Sequence, residues 1–501
     1  MKFHRFPYNW LIGCFLFFAG CDAPRHKPNV VIILVDDLGW TDLGSYGSTF
    51  YETPNIDQLA GEGMKFTQFY TAGTNCSPTR ASIMTGVSPA RLKITNWIGG
   101  TQVGKLLPAD NFEHLPFDEY SLGEIFSDAG YMTGYIGKWH LGDTLSFPEH
   151  HGFQFNLATN RGGTPGAYFF PYKNAKRPRL NIPDLEDGYE GEHLTDRLTS
   201  EAIKYLEEYR DKTFMLMLGY YTVHSPIVAK EEKIEKYREK ASRYFVPEEH
   251  EFNEEKNGTL NKLKQDNPVY AGMIESTDEG VGEIVKALDE LGLAENTILV
   301  FLSDNGGLST LSGGKTWMPT SNLPLRAGKA WVYEGGIRIP FIIRWPGKIE
   351  AGTVNHQLSV STDLLPTLLD MTGLDLIPEQ HVGGENLWPA IKDNAPLDRE
   401  TLFWHFPHYS GSGAPPAAAV RKGDYKLILW FEDNSVELYN LKKDLGEQND
   451  LSKATPEITK KLLKMLHDWR REVDAKMPYP KTATSKPAKG SRVTNTKPSN
   501  A

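Results

Sequence analysis

The sequence predicts an α/β fold with a large mixed, mostly parallel sheet sandwiched by helices, followed by a small antiparallel sheet with a helix. Apolar, β-branched runs alternate with amphipathic helical segments over most of the 501 residues. Such alternation is typical of parallel strands joined by right-handed crossovers. Near residue 395 the pattern changes to short strands separated by turn residues, which indicates a second unit.

Six apolar runs predict the strands of the large sheet. They span residues 30–35, 64–70, 133–137, 214–221, 297–302 and 339–345. The run at 30–35 is unbroken and β-branched, as expected of a central strand buried on both faces. Helices are predicted at 53–60, 77–85, 121–126, 195–210, 269–291 and 363–371. Residues 229–266 are rich in Lys and Glu and predict a solvated excursion over the sheet edge.

The chain divides into five predicted parts. They are a lipoprotein signal peptide (1–20), a tether (21–28), the large α/β domain (29–394), a C-terminal α+β subdomain (395–480) and a disordered tail (481–501). Short strands at 402–405, 418–421, 426–429 and 437–441, with a closing helix at 458–473, make up the subdomain. The tail offers little to bury, because it consists mainly of Thr, Ser, Pro, Lys and Asn.

The N-terminus has the pattern of an export signal. Lys2 and Arg5 precede an apolar run at 10–19 that is too short to span a bilayer. The run ends in Phe-Ala-Gly-Cys, which resembles a bacterial lipoprotein box and predicts cleavage before Cys21 and lipidation of that residue. We therefore expect a membrane-anchored protein of the periplasm or cell surface. An uncleaved hydrophobic leader is the alternative.

Charge and cysteine content narrow the choice of partners. The formal charge of −10 argues against nucleic acid and against broad electrostatic capture of polyanions. An anionic substrate would have to be attracted locally, by a metal and a few cations. Cys76 is the only thiol expected in the mature chain, so no internal disulfide is predicted.

The surroundings of Cys76 suggest a reactive side chain. Ser77 followed by Pro78 predicts a helix start, with Ser77 as the N-cap and Gly86 as the terminator. Cys76 would then lie at the positive end of a helix, with Arg80 one turn further on. These neighbours predict an acidic, accessible thiol. The alternative is a buried structural cysteine before an ordinary helix.

Polar residues follow four of the predicted strands. They are Asp36 and Asp37, Lys138 and His140, His224, and Asp304 and Asn305. Open α/β sheets bind ligands beyond the carboxyl ends of their strands, so we expect these side chains to meet. The acidic pairs offer only oxygen ligands, which suit Ca²⁺ or Mg²⁺ rather than zinc. A helix cap or a turn is the alternative for each pair alone.

Cys-x-Pro-x-Arg at 76–80 resembles the signature of the type I sulfatases, in the alkaline phosphatase superfamily. The motifs VDDLG at 35–39, GKWHLG at 137–142 and SDNGG at 303–307 are similar to that family's metal and Lys/His motifs. A loop at 325–340 resembles its Lys-bearing segment, although Ala327 and Ala330 stand where Gly is frequent. The resemblance extends from about residue 28 to 451 and makes 29–394 the sulfatase catalytic domain.

The resemblance implies a specific chemistry. In that family a maturation enzyme converts the cysteine to Cα-formylglycine (3-oxoalanine), whose hydrate attacks sulfur with one hydroxyl and expels sulfate with the other. A divalent cation, Ca²⁺ in preference to Mg²⁺, would be held by five residues. They are Asp36, Asp37, the modified Cys76, Asp304 and Asn305.

Catalytic roles also follow from the resemblance. Arg80 would orient the hydrated aldehyde, and Lys138 and Lys329 would bind sulfate oxygens. His140 would take the proton when sulfate is expelled. His224, with or without Lys329, would protonate the leaving alcohol.

The resulting hypothesis is a lipid-anchored sulfatase acting on a sulfated carbohydrate. The alternatives are a formylglycine-dependent phosphodiesterase or phosphonate monoester hydrolase, and a non-catalytic glycan-binding lipoprotein. Six residues on predicted loops could line the rim of the cleft or simply pack there: His150, Arg161, Trp317, His405, His408 and Arg421. The sequence leaves open which sugar and which position carry the sulfate.

Overall fold

A computed structural model describes Met1 and residues 27–244 and 251–481. Apart from Met1, the predicted signal peptide lies outside these residues, as do Cys21 and the tail after residue 481. Among the described helices, none combines the length and apolar character needed to span a membrane.

The described residues form strands and helices throughout. In chain order the strands are β1 (Asn29–Val35), β2 (Met64–Phe66), β3 (Phe69–Tyr70), β4 (Leu106–Leu107), β5 (Met132–Gly137), β6 (Phe155–Leu157), β7 (Phe214–Gly219), β8 (Phe252–Glu255), β9 (Thr259–Lys262), β10 (Thr297–Ser303), β11 (Thr310–Leu311), β12 (Phe341–Arg344), β13 (Thr353–Asn355), β14 (Ser359–Val360), β15 (Thr401–Phe406), β16 (Ala417–Lys422), β17 (Tyr425–Trp430), β18 (Val436–Asn440) and β19 (Tyr479–Pro480). The α-helices are α1 (Pro54–Glu62), α2 (Cys76–Thr85), α3 (Pro89–Leu92), α4 (Leu122–Asp128), α5 (Leu194–Tyr209), α6 (Glu231–Tyr244), α7 (Pro268–Glu290), α8 (Glu334–Ile337), α9 (Leu364–Thr372), α10 (Trp388–Lys392) and α11 (Pro456–Glu472). Short 3-10 helices lie at Gly44–Tyr46, Pro148–His151, Pro178–Leu180, Lys256–Gly258, Ala294–Asn296 and Ser361–Asp363.

The large sheet has eight strands in the order β13-β2-β12-β10-β1-β7-β5-β6. Strands β10, β1, β7, β5 and β6 pair in parallel, and β12 runs antiparallel to both of its neighbours. In register, Val35 lies beside Ser303, and Leu34 lies beside Gly219. The carboxyl ends of β1, β7 and β10 therefore meet at one edge. The predicted mixed, mostly parallel sheet is confirmed.

Helices cover both faces of this sheet because its central strand is apolar on both sides. Val31 and Ile33 of β1 pack with residues of α1, α5 and α7, whereas Val30, Ile32 and Leu34 pack with α2, α4 and α9. Residues 30–35 are fully buried, as the unbroken apolar run predicts.

The C-terminal unit is a four-stranded antiparallel sheet, β15-β16-β17-β18, with α11 packed against it. A buried ion cluster joins it to the large domain. Lys426 of β17 lies 3.0 Å from Glu334 Oε1 and 2.9 Å from Glu447 Oε1, and all three side chains are inaccessible to solvent. Glu334 follows the loop that carries Lys329, so this cluster also anchors that loop.

Two predicted elements differ from the structure. The predicted strand at 64–70 is interrupted, and its halves β2 and β3 join different sheets. Residues 229–266 are only partly helical: α6 packs on α7 rather than over the sheet edge, and β8 and β9 form a hairpin. Local patterning could not reveal these partners, because an amphipathic pattern shows which side of a segment is buried but not what covers it.

Candidate active site

The parallel strands deliver the predicted acidic residues to one place. The backbone N–H of Asp36 bonds to Thr222 O at 2.9 Å, and that of Asp304 bonds to Val35 O at 3.1 Å. The strand pairing therefore continues into the loops that carry these carboxylates. The Asp37 N–H donates to Asp304 Oδ1 at 3.2 Å, and Asn305 Nδ2 donates to Asp37 Oδ1 at 2.8 Å. The two acidic pairs, though 267 residues apart, form one cluster.

Three cations surround these buried carboxylates. Lys138 forms an ion pair with Asp36. Lys329 Nζ lies 2.6 Å from Asp37 Oδ1, and Arg80 Nε lies 2.8 Å from Asp304 Oδ2. Each carboxylate thus has its own cationic partner, and each partner comes from a different loop or helix.

The cations set the protonation of the cluster. Burial alone would raise the pKa of all three carboxyls. Lys329 and His224 nevertheless hold the pKa of Asp37 below its ordinary value, and Arg80 does the same for Asp304. Burial and the neighbouring Asp304 raise the pKa of Asp36 well above its ordinary value, despite Lys138. Burial and repulsion from Asp304 thus disfavour the ionised form of Asp36, and a further cation next to its carboxylate would favour that form.

The residues present fit a divalent cation. Asp36, Asp37, Cys76 and His224 each offer a ligand atom, and these atoms all lie within 4.8 Å of one another. Asp36 Oδ1 and Asn305 Oδ1 are buried, and neither has a hydrogen-bond partner among the described residues. A buried oxygen with no partner costs free energy, which a metal ion would recover. Carboxylate and amide oxygens are the ligands of a hard cation.

Cys76 lies in this cluster, but the prediction of an acidic, accessible thiol is wrong. Its Sγ is 3.4 Å from Lys329 Nζ, and the residue is only 1% exposed. Burial raises the pKa of Cys76 to about 12, because desolvation of the thiolate outweighs the attraction of Lys138 and Lys329. The solvent exposure of Cys76 agrees instead with the alternative prediction, a buried cysteine.

Helix α2 begins two residues earlier than predicted. Asn75, in an extended conformation, is its N-cap, so Ser77 and Pro78 lie inside the first turn. Ser77 Oγ instead donates to the His140 carbonyl at 2.8 Å and accepts from Ile98 N–H at 3.0 Å. The prediction that Gly86 ends the helix is confirmed, since its left-handed backbone closes onto Ser82 O.

Two histidines lie beside the cluster. Burial and Lys138 lower the pKa of His140 well below its ordinary value, and its Nδ1 has no hydrogen-bond partner within residues 27–244 and 251–481. Burial and Lys329 lower the pKa of His224 to about 3. His224 Nδ1 lies 2.5 Å from Ser225 O, and its Nε2 lies 3.8 Å from Asp37 Oδ2. Both imidazoles are therefore neutral at pH 7 in the protein alone.

Sequence reasoning missed the residues that hold these loops. Asn322 Nδ2 donates to Gly307 O and Ala327 O, both at 2.9 Å, and so ties the SDNGG loop to the Lys329 loop. Tyr270 OH donates to the buried Asp42 carboxylate at 2.7 Å and lies 3.2 Å from the Asp37 carbonyl oxygen. No local pattern marks Asn322 or Tyr270, because their partners lie on other loops.

The six rim candidates divide into two groups. His405, His408 and Arg421 are buried structural residues, bonded to Lys476 O, Thr95 Oγ1 and Gly423 O respectively. Loop packing is the correct interpretation for these three. The other three, His150, Arg161 and Trp317, are exposed.

Comparison with known proteins agrees with this geometry. The family model described as Sulfatase matches residues 28–374. The chain belongs to the sulfatase family. The C-terminal model of N-sulphoglucosamine sulphohydrolase matches residues 327–472. The fold and the family together make this sulfatase a sulfuric ester hydrolase.

Individual relatives and a solved structure are similar over most of the chain. A sulfatase of Formosa agariphila is 31% identical over 91% of this chain and 93% of its own. N-acetylgalactosamine-6-sulfatase of Mus musculus is 34% identical over 87% of this chain and 78% of its own. The crystal structure of Ps i-CgsB in complex with k-i-k-neocarrahexaose is 29% identical, with a TM-score of 0.70, over 89% of this chain and 93% of that one.

The burial of residue 76 predicts that its thiol is inert in the folded protein. When the chain is produced without a maturation enzyme, Ellman's reagent at pH 8 should count the same number of thiols in the native protein as in Cys76→Ser. In guanidinium chloride the count should differ by one, because unfolding removes the desolvation that suppresses the thiolate. A difference of one thiol under native conditions would contradict the buried placement.

Proposed function

We propose that this sulfatase hydrolyses sulfate esters of a carbohydrate, using a formylglycine formed from Cys76 and a bound Ca²⁺. One observation carries the proposal: residue 76, three carboxylates, two lysines, one arginine and two histidines converge at the carboxyl edge of the sheet. The carbohydrate is supported by the relatives, one named for an N-acetylgalactosamine 6-sulfate and another crystallised with a neocarrahexaose.

The cation would be held by Asp36, Asp37, Asp304, Asn305 and the modified residue 76. Ca²⁺ is favoured over Mg²⁺ because the donors are carboxylate and amide oxygens on irregular loops, and Mg²⁺ demands near-octahedral geometry with several waters. When bound, the ion supplies Lewis acidity toward the sulfate and lowers the pKa of a coordinated hydroxyl.

Residue 76 requires a partner enzyme. We propose that a formylglycine-generating maturation enzyme oxidises Cys76 to the aldehyde, whose hydrate provides the nucleophilic hydroxyl. The position suits this role, because the side chain lies at the start of α2 beside Asp36, Asp37 and Lys329. Arg80, fixed by Asp304 and by the Lys138 carbonyl, would keep that side chain oriented.

The remaining side chains bind charge and move protons. Lys138 and Lys329 carry positive charge next to residue 76 and would stabilise negative charge on sulfate oxygens. His140 is neutral, and its Nδ1 is free of hydrogen bonds within the described structure, so it can accept a proton. His224 is held by Ser225 O, and a bound sulfate would raise its lowered pKa and favour proton donation to the leaving alcohol.

Sulfate release from sulfated sugars, assayed beside an aryl phosphodiester and an aryl phosphonate, tests the function. Cys76→Ala should lower kcat/KM for sulfate esters at least about a thousandfold, as expected when a nucleophile is removed. Thr79→Ala is the matched control, because Thr79 is equally buried in the same helical turn and its hydroxyl bonds to no residue of the part of the chain that the structure describes.

The outcomes separate the alternatives. An active Cys76→Ala variant would refute the nucleophile assignment. Faster turnover of the phosphorus esters than of any sulfate ester would favour the phosphodiesterase or phosphonate hydrolase. A mature protein that lacks the aldehyde in the peptide spanning residue 76 and releases no sulfate would support a binding protein.

Calcium binding should appear as thermal stabilisation, independently of activity. Adding Ca²⁺ to chelator-treated protein should raise the melting temperature, because at 100 times Kd a ligand stabilises the native state by about 2.7 kcal/mol. Asp36→Asn should lose most of this shift. Asp278→Asn, a change at a buried carboxylate that caps α1 through Ile56 N–H, should keep it. An equal shift in both variants would contradict the assigned site, and a larger shift with Mg²⁺ would contradict the choice of ion.

We also propose export and lipid anchoring through Cys21, supported by the charged, apolar and lipoprotein-box segments of the leader. Cys21→Ser should move the protein from the membrane fraction to the soluble fraction. Cys14→Ser, within the apolar run, should not. A mature N-terminal peptide that begins at Met1 with an unmodified Cys21 would contradict the proposal.

A further inference from the structure

The loop at residues 160–164 is rigidly held beside the active site. Asn160, only 3% exposed, donates from Nδ2 to Thr164 O at 2.9 Å and to Leu180 O at 2.8 Å. Its Oδ1 accepts from Gly162 N–H at 2.9 Å. Three hydrogen bonds from one buried side chain fix the backbone on both sides of Arg161.

This loop contacts the segments of both active-site histidines. A Cβ on Gly163 would lie 2.4 Å from His140 Cε1, so the loop backbone passes directly against that ring. Thr164 Oγ1 donates to the carbonyl of Ser225, the residue after His224, at 3.2 Å. The loop therefore bridges the two groups that would handle protons, and Arg161 is two residues from the first contact.

The Arg161 side chain holds an uncompensated charge. It is exposed, and one guanidinium nitrogen donates to Thr144 Oγ1 at 3.2 Å, four residues beyond His140. Within residues 27–244 and 251–481, no carboxylate lies within ion-pair distance of it. By contrast, Arg80, Arg197 and Arg326 each pair with a carboxylate. In a chain of formal charge −10, an unpaired arginine fixed beside the active site is a candidate for binding an anion.

An aromatic side chain lies next to His140 as well. The Trp97 ring is 6.4 Å from the His140 ring and is partly exposed. Its loop is fixed by Ile98 N–H, which donates to the same Ser77 Oγ that bonds to the His140 carbonyl. An exposed indole offers an apolar face on which the C–H face of a sugar ring can pack.

We propose that Arg161 is a specificity residue that binds a second anionic group of the substrate, a sulfate or a carboxylate, beside the ester that is hydrolysed. The inference rests on the proposed carbohydrate function. A planar guanidinium binds either group through two parallel N–H···O hydrogen bonds, and such charge-assisted pairs are stronger than neutral ones. The substrate class is then a polyanionic carbohydrate rather than a sugar with a single sulfate.

The test compares kcat/KM for three substrates that share one reactive sulfate ester: a neutral monosulfated sugar, the same sugar with a second sulfate, and the same sugar linked to a uronic acid. The wild type should prefer one or both dianionic substrates. Arg161→Ala should reduce that preference about tenfold, mainly through KM, as expected for loss of one charge-assisted contact. Arg161→Lys should retain part of the preference, because the positive charge persists although the two parallel N–H donors of the guanidinium are lost. The substrate for which Arg161→Ala loses the preference identifies the bound group as a sulfate or a carboxylate.

Arg210→Ala is the matched control. Arg210 is also an exposed arginine, but it caps the C-terminus of α5, four residues before β7 begins, and so lies toward the opposite edge of the sheet from the active site. Its replacement should leave the preference unchanged. Equal losses on all three substrates in Arg161→Ala, or a wild type without preference for a second anion, would overturn the inference alone. Turnover of an aryl sulfate but of none of the sugars would overturn the carbohydrate function and this inference with it.

Discussion

The structure depends on a balance of buried charge at the carboxyl edge of the large sheet. Asp36, Asp37 and Asp304 are brought together because β1 and β10 pair in register to their last residues. Three carboxylates without solvent would repel one another, and each is compensated by one cation. Removing one partner from a buried ion pair commonly costs about 3–5 kcal/mol. The same side chains that bind substrate in our proposal are thus part of what keeps this edge folded.

Much of the fold and the site could be predicted from the sequence because their signals are local. The apolar runs of β1, β7 and β10 mark central strands, and the polar residues that follow them mark the ligand edge. The antiparallel direction of β12 could not be predicted, because an apolar run indicates a buried strand but not its direction relative to the neighbouring strands. The burial of Cys76 and the role of Asn322 could not be predicted either, because no local pattern shows which loops cover the thiol or which carbonyls accept from the Asn322 amide. A position at a helix N-terminus predicts that a thiolate is favoured electrostatically. Whether the thiol is accessible to water depends on tertiary packing, which the local sequence does not show.

The C-terminal unit is coupled to the site through ions rather than through apolar contact alone. Lys426 neutralises Glu334, which follows the Lys329 loop, and Glu447, which accepts the Glu334 backbone N–H. Two carboxylates share one lysine, and burial with Glu334 nearby raises the pKa of Glu447 to about 7. The small sheet is therefore part of the support of an active-site lysine, which explains why the family resemblance runs through both units.

The inaccessibility of residue 76 has a consequence for biogenesis. In our proposal a maturation enzyme oxidises residue 76, yet here that residue lies in the first turn of a helix enclosed by the sheet and its loops. Under that proposal, oxidation would have to precede folding of the domain, while the Cys76 thiol is still accessible. A chain that folded first would keep the unmodified thiol, so the fraction of active enzyme would depend on the relative rates of oxidation and folding.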